Sequence, residues 1–247
     1  MVGFHTFDHA RHFLSSSRRS LGVSVCSRKG GNLGVKYMGR NVMVTVSHVG
    51  VERKTLSREM ESDAAMNIAA TIQERHKGKA LIVGVDYCDR LRGVALKLLA
   101  WERTLKEYPE FIGKAMLVQR CLGARTEARE EDSNKSVEEL KILVKRINDK
   151  YDVPAVDFEI LSERDFTREE RLGLFQIASV YLYTPVREGL NLQPLEFTFC
   201  SKKGIAIVSE FSCCCSVLNG ALRVQPFNIS SVTDIIVNAL QMSDEVR

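Results

Sequence analysis

No apolar run in this 247-residue sequence approaches the ~20 residues needed to cross a bilayer; the longest, around 81–85 and 205–208, have the length of core strands. No membrane segment is therefore expected. The first residues hold Asp8, two His and Arg11 where a secretory leader would carry a basic start followed by an apolar core. The expected location is the cytoplasm. Spaced cysteines are missing too: the seven are odd in number and Cys213, Cys214 and Cys215 are consecutive, which suits neither a disulfide framework nor a tetrahedral metal site. Reduced thiols and no metal are expected. Nor is there a basic tract interleaved with aromatics, since 35 Lys and Arg and 31 Asp and Glu are mixed along the chain to a net charge of +4. A nucleic-acid partner is not expected.

What remains is an ordinary globular composition, 45% hydrophobic and 27% charged, long enough for one large domain or two small ones. From about Lys79 onward, short β-branched or aromatic runs alternate with segments of helical period. That alternation predicts an α/β fold: a parallel sheet with crossover helices. The strands are expected at 80–85, 115–119, 156–161, 180–184 and 205–208, with a further one at 222–224. Helices are expected around 91–105, 137–147 and 232–239, where apolar residues recur at i, i+3 and i+4. The stretch 126–135 lacks that rhythm and reads as an exposed loop. The first 50 residues differ, with a helical patch at 7–17 and short alternating segments at 23–26 and 42–46. They read as the tail of another lobe, giving domains 1–51 and 52–247, a linker at 49–54, and one helix over 56–76 opening the second domain.

Ligands of open parallel sheets bind outside the carboxyl ends of strands. The stretch after the 180–184 strand runs Arg187, Glu188, Gly189, Leu190, Asn191, Leu192, Gln193, Pro194, Leu195, Glu196. A Gly-bearing turn entering a helix aims backbone N–H groups at an anion such as a diphosphate. Glu188 is suited to sugar hydroxyls and Glu196 to the two hydroxyls of a ribose. A plain turn glycine with two solvated carboxylates fits the same spacing. Three histidines, His5, His9 and His12, share a short helical stretch, but only Asp8 accompanies them and an exposed helix face explains them better than a metal. Trp101 lies in a helix body and reads as a packing residue.

The 187–196 stretch resembles the R-D-G-M-N-L-V-x-x-E signature of the trehalose-6-phosphate synthases, with Glu188 for Asp and Leu190 for Met. The segment 84–93, Gly-Val-Asp-Tyr-Cys-Asp-Arg-Leu-Arg-Gly, is similar to the family's G-V-D-R-L-D-Y-x-K-G. Further blocks in the same order resemble G-F-H-T-x-D-Y-A-R-H-F (residues 3–13), the R-I-N helix (146–148), S-E-F (209–211) and V-N-P-W-N (224–228). The family's H-I-P-F-P block and glycine-rich loop have no counterpart here.

The resemblance implies a two-lobe glycosyltransferase architecture, of which the chain carries a complete C-terminal Rossmann-like domain and the end of the N-terminal, acceptor-binding lobe. It implies transfer of glucose from UDP-glucose to glucose 6-phosphate with retention, giving trehalose 6-phosphate and UDP without metal or cofactor. Arg92 then stands for the family's Lys at the diphosphate, Tyr87 for its Arg, Glu188 takes glucose hydroxyls, and Gly189 to Gln193 line the diphosphate. Glu196 takes the ribose and Arg125 the acceptor phosphate. Arg92 and Glu188 are the residues implied in catalysis. Tyr87 carries no charge at pH 7, and loss of one preorganised contact costs ~10²-fold in rate. Residues 93–100 and 209–211 look most similar to synthase-like proteins of plants and related eukaryotes, many of which have also lost that Arg and are joined to a trehalose-phosphatase-like domain; a non-catalytic regulatory protein is the second reading.

Overall fold

The computed structural model describes residues 1–27, 30–123, 130–162 and 164–243. The chain divides into two compact units, Met1–Gly50 and Val51–Arg247. Among the described residues no helix is long and apolar enough to cross a membrane.

The first unit carries β1 (Val2–Phe4), α1 (Phe7–Leu21), β2 (Val25–Ser27), β3 (Leu33–Tyr37) and β4 (Arg40–Val46). Its sheet runs β1-β4-β3-β2, with β1 parallel to β4 and the other pairs antiparallel. The Thr6 side chain caps the start of α1, and Gly22 ends it in the left-handed region at φ 64°. Ala10 and Leu14 of that helix bury against Val23, Val35 and Val44. Strands β1 and β3 are additions to the sequence expectation. The β3–β4 hairpin turns on Met38 and Gly39, both at positive φ, as a two-residue hairpin requires. Methionine at the first turn position hides the usual Asn-Gly signal.

The second unit begins with α2 (Arg53–Met60) and α3 (Asp63–Arg75). The single helix expected over 56–76 is two, because the Ser62 hydroxyl accepts from the Ala65 N–H and starts a new helix there. The alternation then follows as β5 (Ala80–Tyr87), α4 (Val94–Glu107), β6 (Ala115–Leu122), α5 (Glu130–Asp149), β7 (Val156–Leu161), α6 (Arg168–Ile177) and β8 (Val180–Tyr183). It ends with α7 (Gln193–Cys200), β9 (Ile205–Ser209), α8 (Cys214–Val217), β10 (Leu222–Val224) and α9 (Ile229–Gln241). Helix α5 begins at Glu130, inside the stretch expected to be loop: Glu and Lys are good helix formers even without an apolar stripe.

All six strands of the second sheet are parallel, in the order β10-β9-β8-β5-β6-β7. Successive strand residues face opposite layers, so Ile82 and Leu117 pack with Leu98, Trp101, Ile147 and Ile236. Leu81, Val83 and Val118 pack on the other side with Leu56, Ile72, Phe175 and Phe197. Trp101 is fully buried, and its indole N–H donates to the Ala155 carbonyl at 3.0 Å. None of the seven cysteines is joined in a disulfide.

Counted from β5, consecutive strands proceed outward to one edge through β6 and β7, and then to the other edge through β8, β9 and β10. The direction reverses between β5 and β8. Crossover helices leave those two strands on opposite faces and open a crevice at their carboxyl ends.

Candidate functional site

At that reversal, the turn from β5 into α4 is packed against the end of β8. Gly93 is obligatory on two grounds: its φ is +66°, and a Cβ there would lie 2.0 Å from the Thr184 carbonyl oxygen. The Asp89 carboxylate accepts the Arg92 N–H at 3.1 Å and closes a 3₁₀ turn, Arg90–Arg92. The Val186 N–H donates to the Leu91 carbonyl at 2.8 Å and ties the two loops together. This turn aims Arg92 and Arg90 apart. Arg90 bonds Glu139 of α5 at 2.8 Å, far more exposed than Arg92. The Arg92 guanidinium instead lies over the Tyr87 ring, 5.5 Å from its centroid, and pairs with Glu188 and with Asp89.

Beside Arg92 is a cavity of about 490 Å³. Of the residues named from sequence, Tyr87, Arg92, Glu188, Leu190, Asn191, Leu192, Gln193 and Glu196 line it. Gly189 does not; open space surrounds the place of a Cβ there, so steric demand does not account for this glycine in the unliganded loop. Arg125 lies outside the described residues.

Glu188 is held by a one-residue parallel bridge to Ser212. Burial pushes its carboxyl up to about 8, Asp86 and Asp89 add like-charge repulsion, and a hydrogen bond from Asn191 opposes them. The contact with Arg92 works against burial by favouring the charged form. Asn191 knots the loop: its side-chain amide donates to the Tyr183 hydroxyl at 3.0 Å, its Oδ1 accepts the Gln193 N–H at 3.0 Å, and its carbonyl accepts from Cys214 Sγ. The Gln193 amide, expected to face a diphosphate, is thus already engaged by Asn191.

Glu196 is buried at 3% exposure in the first turn of α7. Arg168 and Arg171 of α6 each bond one of its oxygens, at 3.0 and 2.9 Å. Neither arginine was singled out in the sequence. Their signal was faint: an i, i+3 pair shares a helix face, but the opening Thr167-Arg168-Glu169-Glu170 also reads as an ordinary capped and solvated first turn. A second group missed in the sequence underlies the floor. Lys97 is fully buried and donates to Asp86 at 2.6 Å and to Gln119 at 3.0 Å. Gly84 makes room for it, since a Cβ there would come within 2.4 Å of the Lys97 nitrogen. A lysine inside the apolar run 94–101 was the available sign.

Chemically, the crevice offers Arg92 as a cation for a phosphate group, the buried Glu188 carboxyl beside it, and the Glu196 carboxylate, paired with Arg168 and Arg171, at the start of a helix. Known proteins resemble this chain over nearly its whole length. An α,α-trehalose-phosphate synthase (UDP-forming) of Zygosaccharomyces rouxii is 37% identical over 248 residues, covering all of this chain and 50% of that protein. A probable UDP-forming synthase of Arabidopsis thaliana is 33% identical over 261 residues, covering 99% of this chain and 30% of that protein. The chain therefore spans half or less of the curated relatives it matches. A crystal structure of the Burkholderia xenovorans synthase in complex with glucose 6-phosphate superposes with a TM-score of 0.89 at 22% identity, over 99% of this chain and 54% of the other. At that identity the likeness speaks for the fold alone, a Rossmann-like parallel α/β sheet of the two-lobe glycosyltransferase type. The sequence profile of glycosyltransferase family 20 matches residues 1–247, and the chain belongs to that family.

Proposed function

We propose that the crevice between β5 and β8 binds a UDP-sugar and that the chain is the donor-binding part of a retaining glycosyltransferase of trehalose biosynthesis, acting in the cytoplasm. The reaction is glucosyl transfer from UDP-glucose to glucose 6-phosphate. The observation that carries this reading is the convergence of Arg92, Glu188 and Glu196, drawn from two distant sequence segments, on one cavity at the topological switch point.

In this reading Arg92 neutralises the charge that develops on the departing diphosphate, and does so in a partly buried setting where fixed cations are most effective. To reach the phosphate it exchanges its contact with Glu188 for the ligand. Glu188 is then released to hold glucose hydroxyls, and Glu196 takes the ribose. The leaving phosphate, held on the face from which the acceptor hydroxyl approaches, takes its proton. The protein supplies orientation and charge rather than a nucleophile. Arg125 is assigned to the acceptor phosphate.

The second reading, a synthase-like regulatory protein that binds without turnover, has one observation in its favour. Tyr87 stands where the resemblance implies a second cation, and Arg90, the nearest substitute, is engaged by Glu139. Calorimetric titration of UDP into the full chain tests nucleotide binding: finite affinity that Arg92→Ala removes is expected. No heat from a protein whose circular dichroism shows intact helices would refute both readings. In a protein that joins this chain to an acceptor-binding lobe, release of UDP that depends on glucose 6-phosphate separates them, since only the transferase produces it.

A further inference from the structure

The loop that carries Glu188 and Asn191 is tied at regular intervals to one short segment, the turn that follows β9. The Ser209 hydroxyl donates to the Pro185 carbonyl at 2.6 Å. The Glu188 N–H donates to the Phe211 carbonyl at 3.3 Å. The Cys214 thiol donates to the Asn191 carbonyl at 2.8 Å. The tied residues, Pro185, Glu188 and Asn191, fall three apart, so the loop is held along its length from the end of β8 to Asn191. The turn is itself braced: Ser209 Oγ accepts the Phe211 N–H at 3.1 Å and Ser212 Oγ accepts the Cys214 N–H at 3.3 Å. The last tie is the one nearest the ligand end of the loop, since Leu190, Asn191 and Leu192 line the cavity, whereas Cys214 is fully buried behind them and lines none of it. Burial pushes the Cys214 thiol up, so it keeps its proton at neutral pH and remains a donor.

We propose that Cys214 is a positioning residue for nucleotide binding: its thiol holds the Asn191 carbonyl and thereby sets the backbone of the loop along the cavity beside Arg92. This rests on the nucleotide-binding reading above and deepens it. Cys214 touches no ligand and acts through Asn191 alone. Without the thiol, the Asn191 carbonyl is a partly buried acceptor that has lost this donor, and the loop gains free energy by turning that carbonyl toward water. An arriving nucleotide must then restore the loop, and the cost of ordering it is subtracted from the affinity.

The test titrates UDP by calorimetry into the full chain and into Cys214→Ala and Cys214→Ser, each first shown to be folded by circular dichroism. Cys214→Ala removes the donor and is expected to bind UDP about 3- to 10-fold more weakly, the net worth of one neutral hydrogen bond. Cys214→Ser keeps a donor at the same place and is expected to bind within about 2-fold of the unmodified protein. A side chain that only fills space would leave the affinity of a folded variant unchanged and would not be rescued by serine. Infrared spectroscopy follows the bond itself: the S–H stretch that vanishes in Cys214→Ser is expected at the lowered frequency of a hydrogen-bonded thiol, with and without UDP. Unchanged affinity in Cys214→Ala overturns the inference, as does a serine variant that binds as weakly as the alanine variant, or a Cys214 band at the free-thiol frequency in the UDP complex. If the alanine variant does not fold, the serine variant's affinity and the S–H band decide by the same criteria. Failure of UDP to bind the unmodified chain is a different result, and it overturns the nucleotide-binding reading together with this inference.

Discussion

Replacing Tyr87 by arginine tests whether a diphosphate sits against the β5–α4 turn, and the structure sets the size of the effect. The Arg92 guanidinium lies 5.5 Å from the centre of the Tyr87 ring. A second guanidinium at that distance repels the first by about 0.8 kcal/mol in a water-like dielectric and by about 3 kcal/mol at an effective dielectric of 20. Tyr87→Arg also forfeits a cation–π contact of about 0.5–1 kcal/mol. Asp89 lies against Arg92 and offsets part of the repulsion. The unliganded variant should therefore unfold at a lower temperature. A diphosphate between the two cations reverses the sign, because a charge-assisted contact contributes about 1.5–3 kcal/mol. UDP should then bind about 10- to 150-fold more tightly than to the unmodified protein, and excess UDP should restore the lost thermal stability. Calorimetry gives the affinity and a thermal melt with and without UDP gives the stability. A variant that melts early and binds UDP no better would mean that the phosphates lie away from this turn.

Two further outcomes follow from buried charges. Glu188 titrates near 8 because burial and Asp86 disfavour its charged form; an arriving diphosphate raises that value further, so the complex holds more protons than the free protein around and above pH 8. UDP binding there should take up protons, measured as heat that varies with buffer ionisation enthalpy, its affinity should fall as pH rises through 8, and Glu188→Gln should abolish both effects. Lys97→Met leaves Asp86, 3% exposed, without its cation; a loss of about 3–5 kcal/mol in urea unfolding is expected, with part recovered in the double variant Lys97→Met, Asp86→Asn. Additive losses in that pair would show that the two side chains do not depend on one another.

The parallel sheet was legible in the sequence because strands buried on both faces leave unbroken apolar runs, and β5, β6, β7, β8 and β9 fall where such runs stand. Elements whose stability comes from pairing rather than from their own pattern were harder to see. Strand β1 is three residues beside β4, and β3 depends on a hairpin with Met38 in the left-handed region. The break at Ser62 depended on a cap that apolar spacing does not encode.

The same distinction separates the groups around the crevice. Arg92 and Glu188 follow the ends of strands, Glu196 lies in the first turn of the helix that comes next, and all three could be named from local sequence and resemblance. Arg171 and Lys97 acquire meaning only through partners 25 and 11 positions away. A residue facing a ligand is constrained by the ligand's chemistry, which recurs as a short motif. A residue that orients another is constrained by where the fold brings its partner, and helix α6 offers that position by packing on α7. That is why a motif suffices to suggest a diphosphate site here, while the anchoring of Glu196 by Arg168 and Arg171 had to be read from the packing of α6 on α7.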